Sequence, residues 1–113
     1  GNPLGTAVAR KVLEIMNRDN YVLKARLIEK LLTESLLSLP GILSVRGKGA
    51  MLAAELDSQK SKEIAKTATE RGLLVNPITS SALRFTPPLT TTPSEIEEAI
   101  DILKGVLNDT TLT

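Results

Sequence analysis

Arg84 is the residue whose type and position most clearly suggest chemistry, because it interrupts an apolar run. It stands in Ala82-Leu83-Arg84-Phe85, directly before Thr86-Pro87-Pro88. A guanidinium in such a run must pair with an acid, lie on an exposed sheet face or bind an anion. Its forked donors suit a carboxylate, which they hold through two parallel hydrogen bonds. The residues alone leave these three roles open. Arg46 stands similarly at a strand end beside a turn, and we interpret it as a structural residue.

The lysines and carboxylates offer no comparable candidate for catalysis or metal binding. A lysine that forms a Schiff base needs a desolvated setting, whereas every lysine here falls on a polar helical face or in a turn. The acids between Glu95 and Asp101 suit a helix start, where they complement the macrodipole. Gly47-Lys48-Gly49 lacks the spacing of a phosphate-binding loop and favours a hairpin turn. We therefore predict no catalytic residue and no metal site in this chain. The lysines are Lys11, Lys24, Lys30, Lys48, Lys60, Lys62, Lys66 and Lys104.

The overall composition excludes several classes of protein. The 113 residues suffice for one domain with one core. Fourteen Lys and Arg against 13 Asp and Glu give a net charge of +1, which argues against a nucleic acid partner. Cysteine and histidine are both absent, which excludes disulfides, the common zinc ligands and the usual general base near neutral pH. No apolar run approaches the ~20 residues of a membrane span. Nothing at the start resembles a signal peptide, so we expect a cytoplasmic protein without a membrane partner.

The first half of the chain predicts two helices followed by a hairpin. Asn2-Pro3 is typical of a helix start, and the polar residues 17–20 predict a break before a second helix that ends at Pro40-Gly41. Ile42 to Gly47 and Ala50 to Leu56 then predict two strands joined at the glycines 47–49. The second strand is apolar at successive positions, which predicts burial on both of its faces, by helices on one and by another domain on the other.

The second half predicts a helix, two short strands and a final helix. Asp57 or Ser58 is expected to cap the third helix, and Gly72 to end it. Residues 73–75 predict a short strand that Asn76-Pro77 breaks, followed by a loop over 79–81. Ala82 to Thr86 predicts the last strand. Thr92-Pro93-Ser94-Glu95 is a capping box, and residues 108–113 predict a polar tail.

These elements follow the order α-α-β-β-α-β-β-α. The order predicts an α+β domain with a small, mostly antiparallel sheet and helices packed on one face. We assign the domain to residues 1–108 and a flexible tail to residues 109–113.

Several motifs of this sequence also resemble a known family when taken in order. They are Gly1-Asn2-Pro3-Leu4, VRGKGAMLAAEL at 45–56, RGLLVNP at 71–77, LRFTPPL at 83–89 and EIEEAIDIL at 95–103. In this order and spacing they resemble the C-terminal domain of the class III, pyridoxal-phosphate-dependent aminotransferases, up to about Asn108. The similarity is greatest to members that act on acetylornithine in arginine biosynthesis. The motifs discriminate less well against members that act on succinylornithine, ornithine or 4-aminobutyrate.

The resemblance implies an α+β small domain of a fold-type I homodimer, packed beside its own large domain and a second subunit. In such enzymes the lysine that holds pyridoxal phosphate lies in the large domain, and a threonine that contacts the cofactor phosphate precedes the Gly-Asn-Pro motif. The resemblance therefore implies no cofactor-binding residue in this chain, and we predict that the chain alone binds no pyridoxal phosphate and is inactive. The substrates implied are amino acids and 2-oxo acids, and the family's carboxylate-binding arginine corresponds to Arg84.

Two hypotheses for the whole chain remain at this point. The first is a fragment of an aminotransferase, which the opening at Gly1 without an initiator methionine favours. The second is a free-standing, non-catalytic domain that binds a small acid or a protein partner.

Overall fold

The fold is an antiparallel sheet of four strands with three helices. The computed structural model describes the backbone of residues 3–112 and the side chains of residues 20–109. The predicted cap at Asn2 therefore lies outside the described residues, whereas Pro3 begins the first helix. The elements are α1 (Pro3–Leu37), β1 (Ile42–Lys48), β2 (Met51–Leu56), α2 (Ser61–Glu70), β3 (Asn76–Thr79), β4 (Ala82–Phe85) and α3 (Pro93–Leu112).

The strand order across the sheet is β1-β2-β4-β3, and every neighbouring pair is antiparallel. β1 and β2 form one hairpin and β3 and β4 form another. The connection through α2 places the second hairpin so that β4 pairs with β2. This arrangement confirms the predicted α+β class with a small antiparallel sheet.

The core lies between one face of the sheet and the helices. Leu52 and Ala54 of β2 are buried and pair with the buried Phe85 and Leu83 of β4. α1 and α2 lie against the strands, and α3 packs on both of these helices. The buried helical residues are apolar except for Ser61, whose hydroxyl donates to the Thr79 carbonyl. The buried helical residues include Ile28, Leu32, Leu36, Ile64, Ala68, Ile96, Leu103 and Val106.

The predicted break between two N-terminal helices is wrong, because α1 is continuous from Pro3 to Leu37. Residues 17–20 are polar but include neither glycine nor proline. Asparagine and aspartate cost less than about 0.7 kcal/mol each relative to alanine inside a helix. A polar stretch of this kind interrupts the apolar pattern without breaking the backbone hydrogen bonds.

The predicted burial of β2 by helices is confirmed on one face of the strand, and the other face is uncovered within the described chain. Leu52 is 2% exposed, whereas its neighbour Met51 is 62% exposed. β2 alternates along its length because the helices cover one face of the sheet only. We call the uncovered face, which carries Met51, Ala53 and Glu55, the open face.

The third strand lies later in the chain than predicted. Residues 73–75 belong to no strand, and β3 is Asn76–Thr79, a segment that the sequence predicts as a break and a loop. Pro77 is compatible with a strand here because β3 is at the edge of the sheet, where a missing N–H costs no ladder bond. The tight turn at residues 80–81 then leads into β4.

Three of the predicted turns and caps are confirmed. Gly47 and Gly49 have φ of +127° and +62° and form the β1–β2 hairpin. Gly72, with φ of +95°, ends α2; the Leu73 amide donates to the Ala68 carbonyl at 2.8 Å, as in a Schellman motif. The capping box opens α3, because Glu95 N donates to Thr92 Oγ1 at 3.2 Å and Thr92 N donates to Glu95 Oε1 at 3.0 Å.

Two helix boundaries differ from the prediction. α2 begins at Ser61, with Lys60 at the cap position and no side-chain capping bond, instead of at Asp57 or Ser58. α3 continues to Leu112, so the segment predicted as a polar tail after Asn108 is helical. A polar sequence at a helix end leaves backbone hydrogen bonding intact, since each residue adds one bond to an existing helix.

Candidate anion-binding site

The register of the sheet places Arg84 on the open face. Arg84 pairs with Ala53 of β2 on one side and with Asn76 of β3 on the other. Ala53 in turn pairs with Arg46 of β1. Residues directly opposite one another in a sheet share a face, so these four residues form one row across all four strands. We call them the Arg84 row.

The apolar neighbours of Arg84 explain its outward position. Leu83 and Phe85 flank it along β4 and are 0% and 6% exposed, whereas Arg84 is exposed. Successive strand side chains point to opposite faces, so burying Leu83 and Phe85 in the core forces Arg84 onto the open face. A charge on this strand is therefore compatible with an apolar core.

Arg84 makes no hydrogen bond or ion pair with the other side chains of residues 20–109. Pairing with an acid, the first of the three roles, is therefore absent among residues 20–109, and Glu55 in particular does not pair with Arg84. Of the three roles that the sequence leaves open, an exposed sheet position and anion binding remain. These two are compatible, since the donors of an exposed guanidinium are accessible to an anion.

Glu55 instead forms contacts with Arg46 and Ser81. Arg46 Nη1 lies 3.6 Å from Glu55 Oε2, and Ser81 Oγ donates to Glu55 Oε1 at 2.6 Å. The two carboxylate oxygens thus face partners on opposite sides of β2. These contacts agree with the structural interpretation of Arg46. We refer to these three residues as the Arg46–Glu55–Ser81 cluster.

Sequence reasoning missed two members of the Arg84 row. Ala53 presents only a methyl group between the two arginines, which leaves the space above it open. Asn76 is exposed and carries an amide beside Arg84, where it can donate to the same anion. The sequence marks Asn76 only as part of a strand-breaking pair; its position follows from the antiparallel pairing of β3 with β4.

The described lysines do not provide a site for a Schiff base. Lys60 is half-buried and the others among residues 20–109 are exposed, so none is in the desolvated setting that such a lysine requires. Within the same residues, no group of three or more acidic side chains is arranged to hold a metal ion. None of the described helices combines the length and apolarity needed to cross a bilayer.

The comparisons with known proteins identify the family. The family model for class III aminotransferases matches residues 1–107. The chain belongs to the class III aminotransferase family.

Relatives of this chain include enzymes with different substrates in their names. An acetylornithine aminotransferase of Caldanaerobacter subterraneus subsp. tengcongensis is 37% identical over 96% of this chain and 29% of its own length. An ornithine aminotransferase of Emericella nidulans is 33% identical over 95% of this chain and 25% of its own length. A 4-aminobutyrate aminotransferase of Mycobacterium leprae is 32% identical over 96% of this chain and 28% of its own length.

The solved structures agree with the sequence relatives. A Bacillus anthracis aminotransferase superposes with a TM-score of 0.71 at 26% identity, over 96% of this chain and 28% of that one. The chain thus spans less than a third of the length of the curated relatives it matches.

The described residues do not fit pyridoxal phosphate, the cofactor that the family implies. Holding it requires a desolvated lysine for its aldehyde, and the described lysines lie at the surface. What the open face offers is an accessible guanidinium with an amide beside it, a donor set suited to a carboxylate.

Proposed function

We propose that this chain is the small C-terminal domain of an aminotransferase that transfers an amino group between N-acetylornithine and 2-oxoglutarate. The observation that carries the proposal is the unpaired Arg84 guanidinium on the open face of a class III aminotransferase domain. The acetylornithine assignment is supported by the acetylornithine aminotransferase that is 37% identical over nearly the whole chain.

In the proposed enzyme, Arg84 binds the substrate carboxylate and orients the reacting carbon. 2-Oxoglutarate and the glutamate formed from it carry an α-carboxylate next to the carbon that gains or loses the amino group. In N-acetylornithine the α-amino group is acetylated, so the free amine on the δ carbon reacts, away from the carboxylate. We therefore assign Arg84 to the α-carboxylate of 2-oxoglutarate. Two parallel hydrogen bonds from one guanidinium fix the position and the rotation of that carboxylate, and such positioning lowers the entropic part of the barrier. Pyridoxal phosphate, held by the rest of the enzyme, supplies the electron-accepting chemistry.

The remaining features of the proposed enzyme follow from the family resemblance. The parent is a cytoplasmic homodimer in which the small domain packs against its own large domain and a second subunit. Residues 1–108 form the small domain, and α3 continues beyond it to Leu112. The open face agrees with such packing, because it presents Met51 and Ala53 beside the two arginines without a covering layer.

Two alternatives have specific support. The 33% and 32% identical relatives named for ornithine and 4-aminobutyrate favour a related member of the family with a different amino donor; a succinylornithine enzyme belongs to the same group. An accessible, unpaired arginine would also serve a free-standing domain that binds a small acid or a protein partner without catalysis.

The test is a kinetic comparison in the full-length protein encoded by the gene that contains this sequence. Arg84→Ala is expected to lower kcat/KM for 2-oxoglutarate by at least about 10²-fold, because a charge-assisted bidentate pair is lost. Arg71→Ala is the matched control, since Arg71 forms an exposed ion pair with Asp109 between α2 and α3.

Each outcome of this comparison is informative. Unchanged half-reactions in the Arg84→Ala protein would refute the carboxylate-binding role. Turnover of ornithine or 4-aminobutyrate in place of acetylornithine would select the corresponding alternative. An upstream sequence without a large domain would favour the free-standing domain.

A further inference from the structure

The side of α1 that faces away from the core carries a row of exposed residues. Ile28, Leu32 and Leu36 form the buried side of this helix. Each residue turns an α-helix by about 100°, so positions 23, 30 and 37 fall on the opposite side. Six residues along that side are exposed, and we call them the outer stripe. They are Leu23, Arg26, Leu27, Lys30, Glu34 and Leu37.

The three leucines of the outer stripe are left largely to solvent. Leu23 is 64% exposed, Leu27 51% and Leu37 50%. A single exposed leucine is ordinary on a protein surface. Three of them along one side of one helix form an apolar patch, and patches of this kind mark interaction surfaces.

The charged residues of the outer stripe also lack partners. Neither Arg26 nor Glu34 forms an ion pair within residues 20–109. They are about 12 Å apart along the helix axis, which is too far for the two side chains to pair with each other. The outer stripe therefore presents a cation and an anion at separate points of one exposed surface.

The order of residues in the outer stripe is symmetric about Lys30. Leu23 and Leu37 lie seven positions before and after Lys30, and Arg26 and Glu34 lie four positions before and after it. If two α1 helices pack antiparallel with a two-fold axis at Lys30, each Arg26 faces the Glu34 of the other copy, and each Leu23 faces Leu37. A parallel pair would instead set like charges against each other, so charge complementarity favours the antiparallel arrangement.

We propose that the outer stripe binds a second copy of this chain through an antiparallel, two-fold contact between the two α1 helices. Such a contact uses the same surface on both copies and closes on itself. The leucines supply apolar burial, and the two pairs of Arg26 with Glu34 fix the register. The contact does not involve Arg84, so this inference goes beyond the proposed enzymatic function.

The proposed dimer is weak and depends on concentration. The contact is about four helical turns long, which is less than a standard interface provides. Lys30 also opposes it, because the two ammonium groups approach each other at the axis. Lys30→Leu should therefore strengthen the dimer, since it removes this repulsion and adds apolar surface. Lys66→Leu, at an exposed position of α2, is the matched control and should leave the dimer unchanged.

The test measures the molar mass of the 113-residue chain by sedimentation equilibrium. The chain has its own hydrophobic core, so its association can be measured directly. The mass is expected to rise from one chain toward two as the concentration approaches about 1 mM. Leu23→Glu buries an unpaired charge in the contact and should lower the association constant at least about tenfold. Leu74→Glu is the matched control, because Leu74 is 78% exposed and lies outside α1.

A charge swap tests the register of the two helices. Arg26→Glu sets two acids opposite each other twice in the dimer and should lower the association constant at least about tenfold. The Arg26→Glu/Glu34→Arg protein restores the complementarity with the signs exchanged. Its association constant is expected to return to within about threefold of the wild-type value. Circular dichroism of each variant at low concentration checks that the fold is retained.

Three results would overturn this inference. The first is a mass of one chain at about 1 mM. The second is a dimer that persists in Leu23→Glu, which would assign the association to another surface such as the open face. The third is a loss in Arg26→Glu that the charge swap does not repair. Failure of the proposed function is distinct, since it is decided by the kinetics of Arg84→Ala and leaves the mass of the chain unchanged.

Discussion

Thr92 and Glu95 bond to each other's backbone amide at the start of α3. Glu95 N donates to Thr92 Oγ1 at 3.2 Å, and Thr92 N donates to Glu95 Oε1 at 3.0 Å. The reciprocal pair satisfies two donors that a helix start otherwise leaves without a partner. It fixes where α3 begins, and hence which of its residues, Leu103 among them, face the core.

The first prediction compares this cap with the core behind it. Thr92→Ala removes the cap hydroxyl and should lower the free energy of unfolding by about 1 kcal/mol. Leu103→Ala empties a position that is 0% exposed and should cost about 2–5 kcal/mol, because a cavity remains. Urea unfolding of the two variants measures both values. A larger loss for Thr92→Ala would contradict the assigned core face of α3.

The second prediction compares two glycines that both have positive φ. At Gly72, with φ of +95°, an added Cβ meets no atom within 4 Å, so Gly72→Ala should cost about 1 kcal/mol from backbone strain alone. At Gly47 the Cβ would lie 2.2 Å from the Met51 carbonyl oxygen. Gly47→Ala should therefore cost about 3 kcal/mol or more, since the hairpin must open. Thermal unfolding that ranks the two variants equally would refute this account of the hairpin.

The third prediction concerns the geometry of the Arg84 side chain in the full-length enzyme. Arg84→Lys keeps the positive charge but replaces the fork with a point donor. It should lower kcat/KM for 2-oxoglutarate, although less than Arg84→Ala does. Neither variant should change the thermal unfolding midpoint much, because Arg84 is exposed and has no partner within residues 20–109. A lower midpoint together with intact kinetics would assign Arg84 a structural role.

The fourth prediction concerns the isolated 113-residue chain. Its described lysines are exposed apart from the half-buried Lys60, so none is in the desolvated setting that a Schiff-base lysine requires. Pyridoxal phosphate mixed with the chain should show no saturable one-to-one change in absorbance, apart from slow modification of surface lysines. Acetylornithine turnover by the chain alone would contradict the proposal that the cofactor-binding lysine lies in a separate large domain.

The sequence predicts turns and caps correctly where the backbone conformation or hydrogen bond at a position favours a particular residue type. Gly47, Gly49 and Gly72 mark their turns because positive φ is costly for other residues. The Thr92 capping box is equally local, since its bonds join residues three apart. These features, with the apolar stripes, predict the α+β class and most of the elements.

The sequence failed where tertiary context decides the outcome. Pro77 indicates a break, yet β3 includes it because β3 happens to be an edge strand. Residues 17–20 indicate a break, yet α1 runs through them because polar residues weaken a helix only slightly. In both cases the local preference of these residues for a break is overridden by the strand or helix that contains them.

The neighbours of Arg84 in the sequence place it in a strand between two apolar residues, so its charge needs an exposed face or a partner. The pairing of the strands settles which of these it has. Strand order and register are set by long-range pairing, which no local pattern encodes, and they place Arg46, Ala53, Arg84 and Asn76 in one row. The same register puts Glu55 diagonal to both arginines, and its bond from Ser81 and its ion pair with Arg46 leave Arg84 unpaired within the described chain.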